Sequence, residues 1–324
     1  MEELSLMLLQ IRRELQGAVT RANACCGKPA LRVLRWAVPI LLLAFLGHSL
    51  TQLGWVHVWD ARPDALSFYV VLFLPFYVQP VADLIIYRNL LRVGQTLPLF
   101  VLLRKRYLNG VMLDYSGEAY FFFWAQRNLD LRKGILLHAV KDTNVLSAGA
   151  GLAVAWLMLL ALVASGDMKL PASLSANLQT LVSIGSLPLA LCLALVIGGR
   201  RVTTLSRSEV ASTFAIHLAR SVVALSLEFV LWWLSGALPS PSACLEFVGL
   251  RLLVTRLPLI ASKDLLFIGI GIAAAGLMDL SALRVAAVLV IATAFNLLLE
   301  FVLVGLPWLF DQSQLRRSVD QAPS

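Results

Sequence analysis

The chain returns repeatedly to apolar segments that are long enough to cross a lipid bilayer, and this repetition limits what it can fold into. A spanning helix needs roughly 20 mostly apolar residues, because the hydrocarbon core of a bilayer is about 30 Å thick. Apolar residues make up 59% of the 324 residues and only 14% are charged, whereas soluble domains carry about 25% charged residues. Pattern and composition together predict an all-α, polytopic integral membrane protein.

Six segments are predicted to cross the bilayer completely. They are 36–55, 66–86, 145–164, 178–197, 214–238 and 283–309. Two further regions, 97–125 and 245–277, are interrupted by charged residues and proline, so that their unbroken apolar runs are too short to cross. We expect re-entrant or broken helices there, which a membrane tolerates where the freed backbone is buried in protein or lines a watery cavity.

Three parts are predicted along the chain: residues 1–33, a transmembrane domain over 34–310, and a short polar cytoplasmic tail over 311–324. In the first part, apolar residues recur at helical spacing while the arginines lie off that stripe, which is typical of an amphipathic helix. The stripe consists of Leu4, Met7, Leu8, Ile11, Leu15 and Val19. This helix is expected either in the lipid headgroup region or against the cytoplasmic face of the protein itself.

The net charge of +8 is interpreted as a signal of membrane orientation and not of nucleic-acid binding. The basic residues fall in short stretches between apolar segments, and such stretches remain on the cytoplasmic side of a membrane protein. The connectors near 60–64, 166–169 and 238–243 contain few basic residues, as external loops should. We therefore predict a multi-pass protein of the cell (cytoplasmic) membrane with both termini in the cytoplasm.

Two apolar segments begin with matching charged signatures, Ser116-Gly117-Glu118 and Ser262-Lys263-Asp264. A carboxylate at membrane depth costs roughly 2.5–3.5 kcal/mol on insertion scales, so such residues usually face a cavity, a partner charge or a polar cargo. Each signature leads into a short apolar segment, then an Asp-Leu pair (Asp130-Leu131 and Asp279-Leu280) and a longer helix. This order indicates an internal repeat whose broken segments meet at a central site, although so few identities also allow chance similarity.

The starts of these two segments are the candidate lipid-binding site. A helix beginning at Gly117 or Lys263 would present unpaired backbone N–H groups and a positive dipole end to an anion such as a lipid phosphate, and the Lys263 ammonium would strengthen that attraction. In the alternative, Glu118 and Asp264 simply complement the helix dipole while Lys263 extends to the interface.

Other charges lie in or beside predicted spans. Asp83 with Arg88, and Lys141 with Asp142, are close enough in sequence to neutralise each other near an interface. Asp83 and Arg88 are also candidate lipid-binding residues. Two acids lie well inside predicted spans and need a cationic partner or a proton. These acids are Glu228 and Glu300, and the candidate cations are Arg220, Arg251 and Arg256.

Several classes of active site have no signature in this sequence. No phosphate-binding loop, metalloprotease helix, nucleophile elbow or Cys-x-x-Cys pair occurs. The four histidines and four cysteines share no metal-ligand spacing. We therefore expect neither an enzyme nor a metal or cofactor; a membrane-embedded lipid-phosphate enzyme is a weaker alternative.

Three loose motifs connect the chain with a known family. They are Tyr87-Arg88-Asn89-Leu90-Leu91, Gly117-Glu118, and the stretch from Leu257-Pro258 to Asp264, which is followed by Gly276-Leu277 and an Ala-rich helix from Leu283. In this order they resemble the transmembrane domain of lysylphosphatidylglycerol synthases and of the wider group of flippase-like proteins. The resemblance covers roughly residues 35–310 and implies a lipid-translocating fold.

The chain also departs from that family pattern. The family has an arginine three residues after the glutamate of Gly-Glu, whereas this chain has Phe121 there and its nearest arginine is Arg127. Where the second family motif has glycine and glutamate, Lys263 and Asp264 stand in this chain. Arg127 is therefore added to the candidate lipid-binding residues.

Two functions follow as expectations. The resemblance implies a lipid translocase or lipid-binding protein that moves an anionic or polyprenyl-linked lipid between leaflets, without the soluble aminoacyltransferase domain of the synthases. The alternative is a scaffold or accessory subunit whose basic amphipathic N-terminus holds a lipid-modifying enzyme or glycosyltransferase at the bilayer.

Overall fold

The computed structural model describes residues 47, 51–52, 54–111, 115–164, 203–255 and 263–305. Every regular element in these ranges is helical, and no strand occurs in them. Several predicted features lie outside the described residues. They are the N-terminal segment 1–33, most of the span 36–55, the span 178–197, Arg256 and the tail 311–324.

Ten α-helices follow one another in the described residues and belong to one compact unit. They are α1 (Trp55–Asp60), α2 (Leu66–Leu72), α3 (Leu74–Leu91), α4 (Leu99–Val111), α5 (Ser116–Asn128), α6 (Lys133–Ala164), α7 (Arg207–Ser235), α8 (Pro241–Thr255), α9 (Lys263–Leu277) and α10 (Ala282–Glu300). A 3₁₀ turn at Gly94–Thr96 precedes α4, and a π-helical turn at Phe301–Gly305 continues α10.

Four helical stretches are long and apolar enough to cross a membrane: Leu66–Leu91, Lys133–Leu162, Arg207–Ser235 and Ala282–Val304. They confirm, as long apolar helices, the four predicted spans that fall within the described residues. The second of these stretches, Lys133–Leu162, begins well before the predicted residue 145. It extends to Lys133, and the charged side chains of Lys141 and Asp142 on it pair with each other at 3.1 Å.

Four other helices are short. Within the described residues, α4 and α5 have 13 residues each, and α8 and α9 have 15 each, which at 1.5 Å per residue corresponds to about 20 and 23 Å. They follow one another in pairs, α4 with α5 and α8 with α9, and the helices of each pair pack together. Each pair is followed by an Asp-Leu dipeptide and then by a long helix, α6 or α10. The predicted order of elements is therefore present in both halves.

The first short pair sits in the core. Buried apolar side chains from α3, α4, α5 and α6 form one cluster, in which Tyr87, Leu102, Phe121 and Leu136 are almost inaccessible. The Tyr87 and Phe121 rings lie against each other with centroids 4.2 Å apart. α3 also packs against α7, and α7 against α6. The space between these helices is therefore where polar side chains from α3, α4, α5 and α7 can meet.

The start of α7 is fixed by polar contacts. Ser206 and Glu209 form a capping box, in which each side chain accepts a hydrogen bond from the other residue's backbone N–H. Just before it, the Thr204 amide and hydroxyl each donate a 2.9 Å hydrogen bond to Oδ2 of Asp142. These contacts tie the entry of α7 to α6 and so help to fix the register between the two long helices.

Candidate functional site

The helix α4 carries two adjacent cations, the buried Lys105 and the partly buried Arg106, into the bundle. The Lys105 residue is 2% exposed. A buried ammonium needs carboxylates around it, because removal of a charge from water is strongly unfavourable. The contacts of these two residues define the candidate site.

Lys105 lies at the centre of an ion network drawn from five helices. Its Nζ atom is 2.7 Å from Oδ2 of Asp83 on α3 and 3.4 Å from Oε1 of Glu118 on α5. Arg220 of α7 approaches the other oxygen of Asp83 at 3.6 Å and donates a 3.0 Å hydrogen bond to Ser147 of α6. We call Asp83, Lys105, Glu118, Ser147 and Arg220 the Lys105 network.

The charge of Lys105 is stabilised by this environment. The Asp83 and Glu118 carboxylates offset the cost of burying the Lys105 ammonium. The Lys105 Nζ also lies 5.2 Å from the centre of the Tyr87 ring, within cation–π distance. The network therefore holds the Lys105 ammonium between two acids.

Several polar atoms around this network have no hydrogen-bond partner of normal geometry in the described part of the chain. They are the Tyr87 hydroxyl, Oε2 of Glu118, the Thr143 hydroxyl and both ring nitrogens of His217. Tyr87 and His217 are completely buried. Buried polar groups are normally hydrogen-bonded, so unused hydrogen-bonding capacity surrounds the network.

A close helix contact sets the geometry of the Lys105–Glu118 pair. A Cβ atom at Gly117 would overlap the backbone carbonyl of Lys105 and lie 2.8 Å from Oδ1 of Asn109. The Gly117 N–H donates a 2.6 Å hydrogen bond to that Asn109 oxygen, and the Ser116 hydroxyl donates one of 2.7 Å to the Leu108 carbonyl. Only glycine allows α5 to begin against the backbone of α4.

These contacts correct the expectation that the start of α5 holds an anion with its backbone. The Gly117 N–H group is already used by Asn109, and the helix start is packed against α4. The anion-attracting group near Glu118 is instead the side chain of Lys105. The sequence analysis had treated that residue only as part of a basic interruption.

A second ion cluster surrounds Arg251 of α8. Its guanidinium is 3.4 Å from Oε2 of Glu228 on α7 and donates a 3.1 Å hydrogen bond to Oδ1 of Asp264 on α9. It also lies 5.3 Å from the centre of the Phe267 ring. The Glu228 and Asp264 carboxylates thus offset the positive charge of Arg251. We call Glu228, Arg251 and Asp264 the Arg251 cluster.

Arg106 occupies a position between the two groups of charges. Its guanidinium donates to the carbonyls of Pro75 and Phe76 on α3 and contacts Oδ1 of Asn296 on α10 at 3.5 Å. The charges that act on Arg106 are those of Glu300, Asp264 and Arg251. Arg106 thus interacts electrostatically with the Arg251 cluster, while its neighbour Lys105 forms the first network.

The structure distributes the predicted site residues over these groups. Gly117, Glu118, Asp83 and Arg220 meet around Lys105, whereas Asp264 and Glu228 meet around Arg251. The predicted central site that joins Glu118 with Lys263 and Asp264 is thus replaced by two separate sets of ion pairs. Lys263 is the first residue of α9.

Some predicted pairings are correct and others are not. Lys141 pairs with Asp142 as expected, and Glu228 has Arg251 as its partner. The pairing of Asp83 with Arg88 is wrong. The guanidinium of Arg88 donates to the Leu97 carbonyl at 2.9 Å because the chain turns back at 94–96 and brings that carbonyl over it.

The other candidates have different surroundings. Arg220 binds Asp83 and not Glu228. Glu300 closes α10, with Oε1 3.8 Å from the position of a Cβ atom on Gly110. Arg127 is exposed in the last turn of α5, away from the ion pairs described above.

Sequence reasoning missed Lys105, Arg106 and Tyr87. One signal was present: Arg104-Lys105-Arg106 lies in the middle of the otherwise largely apolar segment that forms α4. Three consecutive residues on a helix point about 100° apart, so they cannot all face the solvent when the helix is buried. At least one of these cations therefore had to face the interior.

No group of three or more His, Cys, Asp or Glu side chains in the described ranges could hold a metal ion. No family model matches the chain, and no curated protein or solved structure is significantly similar to it.

Proposed function

We propose that the chain is a multi-pass protein of the cell membrane in which the pairs α4–α5 and α8–α9 are re-entrant. The lengths of the helices support this arrangement: four helical stretches are long and apolar enough to span, while the described parts of the paired helices measure about 20–23 Å, against a hydrocarbon core of about 30 Å. Each pair would enter and leave on one side, carrying Glu118 or Asp264 to membrane depth.

The proposed function is the binding of an anionic lipid headgroup at the Lys105 network, with passage of the lipid between leaflets. The observation that carries the proposal is the burial of Lys105 between Asp83 and Glu118 inside an apolar bundle. Buried ion networks contribute little net stability, since desolvation offsets the attraction. Ionisable residues at membrane depth are more often explained by a polar cargo.

The site chemistry suits a lipid phosphate. Lys105 and Arg220 offer ammonium and guanidinium donors, and both groups bind phosphate oxygens well. Fixed charges of this kind would replace the hydration shell of a headgroup as it leaves the interface. A flippase-like or lipid-binding role is also what the resemblance to the transmembrane domain of lysylphosphatidylglycerol synthases implies.

The first test is native mass spectrometry with lipidomics on protein purified from its own membrane. Wild type is expected to retain an anionic lipid, either a phospholipid or a polyprenyl phosphate, and Lys105→Gln is expected to lose it. Arg132→Gln is the matched control, because it removes one positive charge from an exposed position. Arg220→Gln is measured in parallel, so that the result does not depend on the folding of one variant.

A flipping assay then separates binding from transport. Proteoliposomes containing a fluorescent phosphatidylglycerol are treated with an impermeant quencher, and the rate at which inner-leaflet lipid becomes quenchable is compared with that of protein-free vesicles. Retention of a defined anionic lipid without accelerated flipping would leave a lipid-binding protein. Retention of bulk phospholipid alone, equal in wild type and Lys105→Gln, would reject the site and favour the scaffold.

A further inference from the structure

The charges of the Lys105 network balance one another. Two carboxylates, Asp83 and Glu118, face two cations, Lys105 and Arg220. The His217 ring on the same helix as Arg220 is completely buried, and neither nitrogen makes a hydrogen bond of normal geometry in the described residues. A charged imidazolium would be unfavourable there without a partner, so His217 is counted as neutral.

This balance restricts how an anion can bind. A headgroup that adds one negative charge to the closed network would leave that charge uncompensated in an environment of low dielectric constant. The balance is restored if one carboxylate takes up a proton at the same time, since two neighbouring carboxylates and a phosphate repel one another. Binding of one negative charge thus requires the uptake of one proton.

Of the two acids, Glu118 is the better acceptor for this proton. Its side chain is 12% exposed, against 4% for Asp83. It touches Lys105 at 3.4 Å, whereas Asp83 is 2.7 Å from Lys105 and also contacts Arg220. Its Oε2 atom is buried and has no hydrogen-bond partner in the described part of the chain. Release of Glu118 from Lys105 therefore breaks one long contact.

The other ionisable groups around Glu118 leave this assignment unchanged. Tyr87 of α3 lies beside Lys105, and its hydroxyl can donate to an added phosphate. On α6, which packs against α5, Lys141 and Asp142 pair with each other at 3.1 Å, and His138 lies one turn before them on the same helix. On α7 the groups are His217 and Arg220.

We propose that the Lys105 network binds one lipid headgroup bearing a single negative charge, a phosphodiester, in exchange for Glu118, which takes up one proton as it leaves Lys105. The exchange rests on the proposed lipid-binding function and makes the binding of the lipid electroneutral. The covalent bonds of the lipid stay intact: the phosphate oxygens replace the Glu118 carboxylate at the Lys105 ammonium, and the proton comes from water. Coupled passage across the membrane would move one proton with each lipid.

The test measures the affinity of purified protein for short-chain dioctanoylphosphatidylglycerol at several pH values around neutrality. If one proton is taken up with each lipid, the affinity falls by about tenfold for each unit of rise in pH. In Glu118→Gln the affinity should be independent of pH and at least equal to that of wild type. Asp130→Asn, which removes an exposed acid after α5, should behave like wild type.

Proton uptake is counted independently with an indicator dye in weakly buffered solution during the same titration. About one proton per bound lipid is expected for wild type and none for Glu118→Gln, because that variant lacks the exchangeable carboxylate. Thermal unfolding of each variant verifies that it is folded before its affinity is compared.

The outcomes separate the coupling from the function on which it rests. Preferential binding of phosphatidylglycerol over phosphatidylcholine with no pH dependence in wild type would overturn the coupling and leave lipid binding intact. A pH dependence that persists in Glu118→Gln would overturn Glu118 as the acceptor. Binding of farnesyl phosphate but not phosphatidylglycerol would overturn the phosphodiester class. If neither anionic lipid binds better than phosphatidylcholine, the proposed function fails as well.

Discussion

The guanidinium of Arg106 donates a hydrogen bond to the backbone carbonyl of Phe76. This carbonyl would normally accept a bond from the N–H four residues later in the helix, but that residue is Pro80, which has none. A side chain from α4 thus supplies the donor that the proline removes from α3. The contact explains how a proline is accommodated within a helix that otherwise has to satisfy its own backbone groups.

Replacement of Arg106 by leucine should expose this dependence. A buried carbonyl left without a donor costs about 1–3 kcal/mol, so Arg106→Leu is expected to lower the free energy of unfolding by that amount. Pro80→Ala restores an N–H donor for the Phe76 carbonyl. The free energy of unfolding that the double variant loses should therefore be smaller than the sum of the losses in the two single variants. Unfolding in detergent, followed by tryptophan fluorescence, measures this cycle. If the losses in the two single variants simply add in the double variant, Arg106 does not replace the donor that Pro80 removes.

A second prediction concerns the glycine at the start of α5. Gly117→Ala places a Cβ atom on the backbone carbonyl of Lys105, which cannot move away as a flexible side chain could. Overpacking of this kind typically costs about 1–3 kcal/mol. The contact between Lys105 and Glu118 should also be lost, because the start of α5 is pushed from α4.

Gly134→Ala is the matched control for this prediction. It lies near the start of α6, and nothing is within 4 Å of its Cβ position. Since alanine is the better helix former by about 0.5–1 kcal/mol, this variant should be unchanged or slightly more stable. Equal thermal stability of the two variants would refute the close approach at Gly117.

The Lys105 network itself predicts a rescue. Lys105→Met leaves Glu118 without its cation, and loss of one partner from a buried ion pair costs about 3–5 kcal/mol. The double variant Lys105→Met, Glu118→Gln retains the Asp83–Arg220 pair and restores the charge balance, so it should be more stable than Lys105→Met alone. Denaturant titration of both variants tests this order. A double variant that is less stable than the single one would show that Glu118 is held by other contacts.

The fold was accessible from the sequence wherever hydrophobic length decided the outcome. The long apolar helices over 66–91 and 207–235 needed only a count of residues, and the short helices that begin at Ser116 and Lys263 were indicated by interrupted apolar runs. The site was not accessible in the same way. Asp83 and Lys105 are 22 residues apart and Asp83 and Arg220 are 137 apart, and no local pattern encodes such pairings. The sequence offered Arg88 as the nearest cation to Asp83, but the turn at 94–96 directs Arg88 to a carbonyl instead.

The last prediction concerns which acid depends on Arg251. Asp264 is the nearer of the two, at 3.1 Å against 3.4 Å for Glu228, but its side chain is 48% exposed while that of Glu228 is 18% exposed. Exposed ion pairs contribute about 0–1 kcal/mol, whereas a carboxylate that loses its partner in the interior costs about 3–5 kcal/mol. Arg251→Met should therefore destabilise the protein mainly through Glu228. A second change, Glu228→Gln, should recover most of the lost free energy of unfolding, while Asp264→Asn should recover little. Equal recovery by both second changes, measured by thermal unfolding in the same detergent, would mean that distance and not burial sets the strength of these pairs.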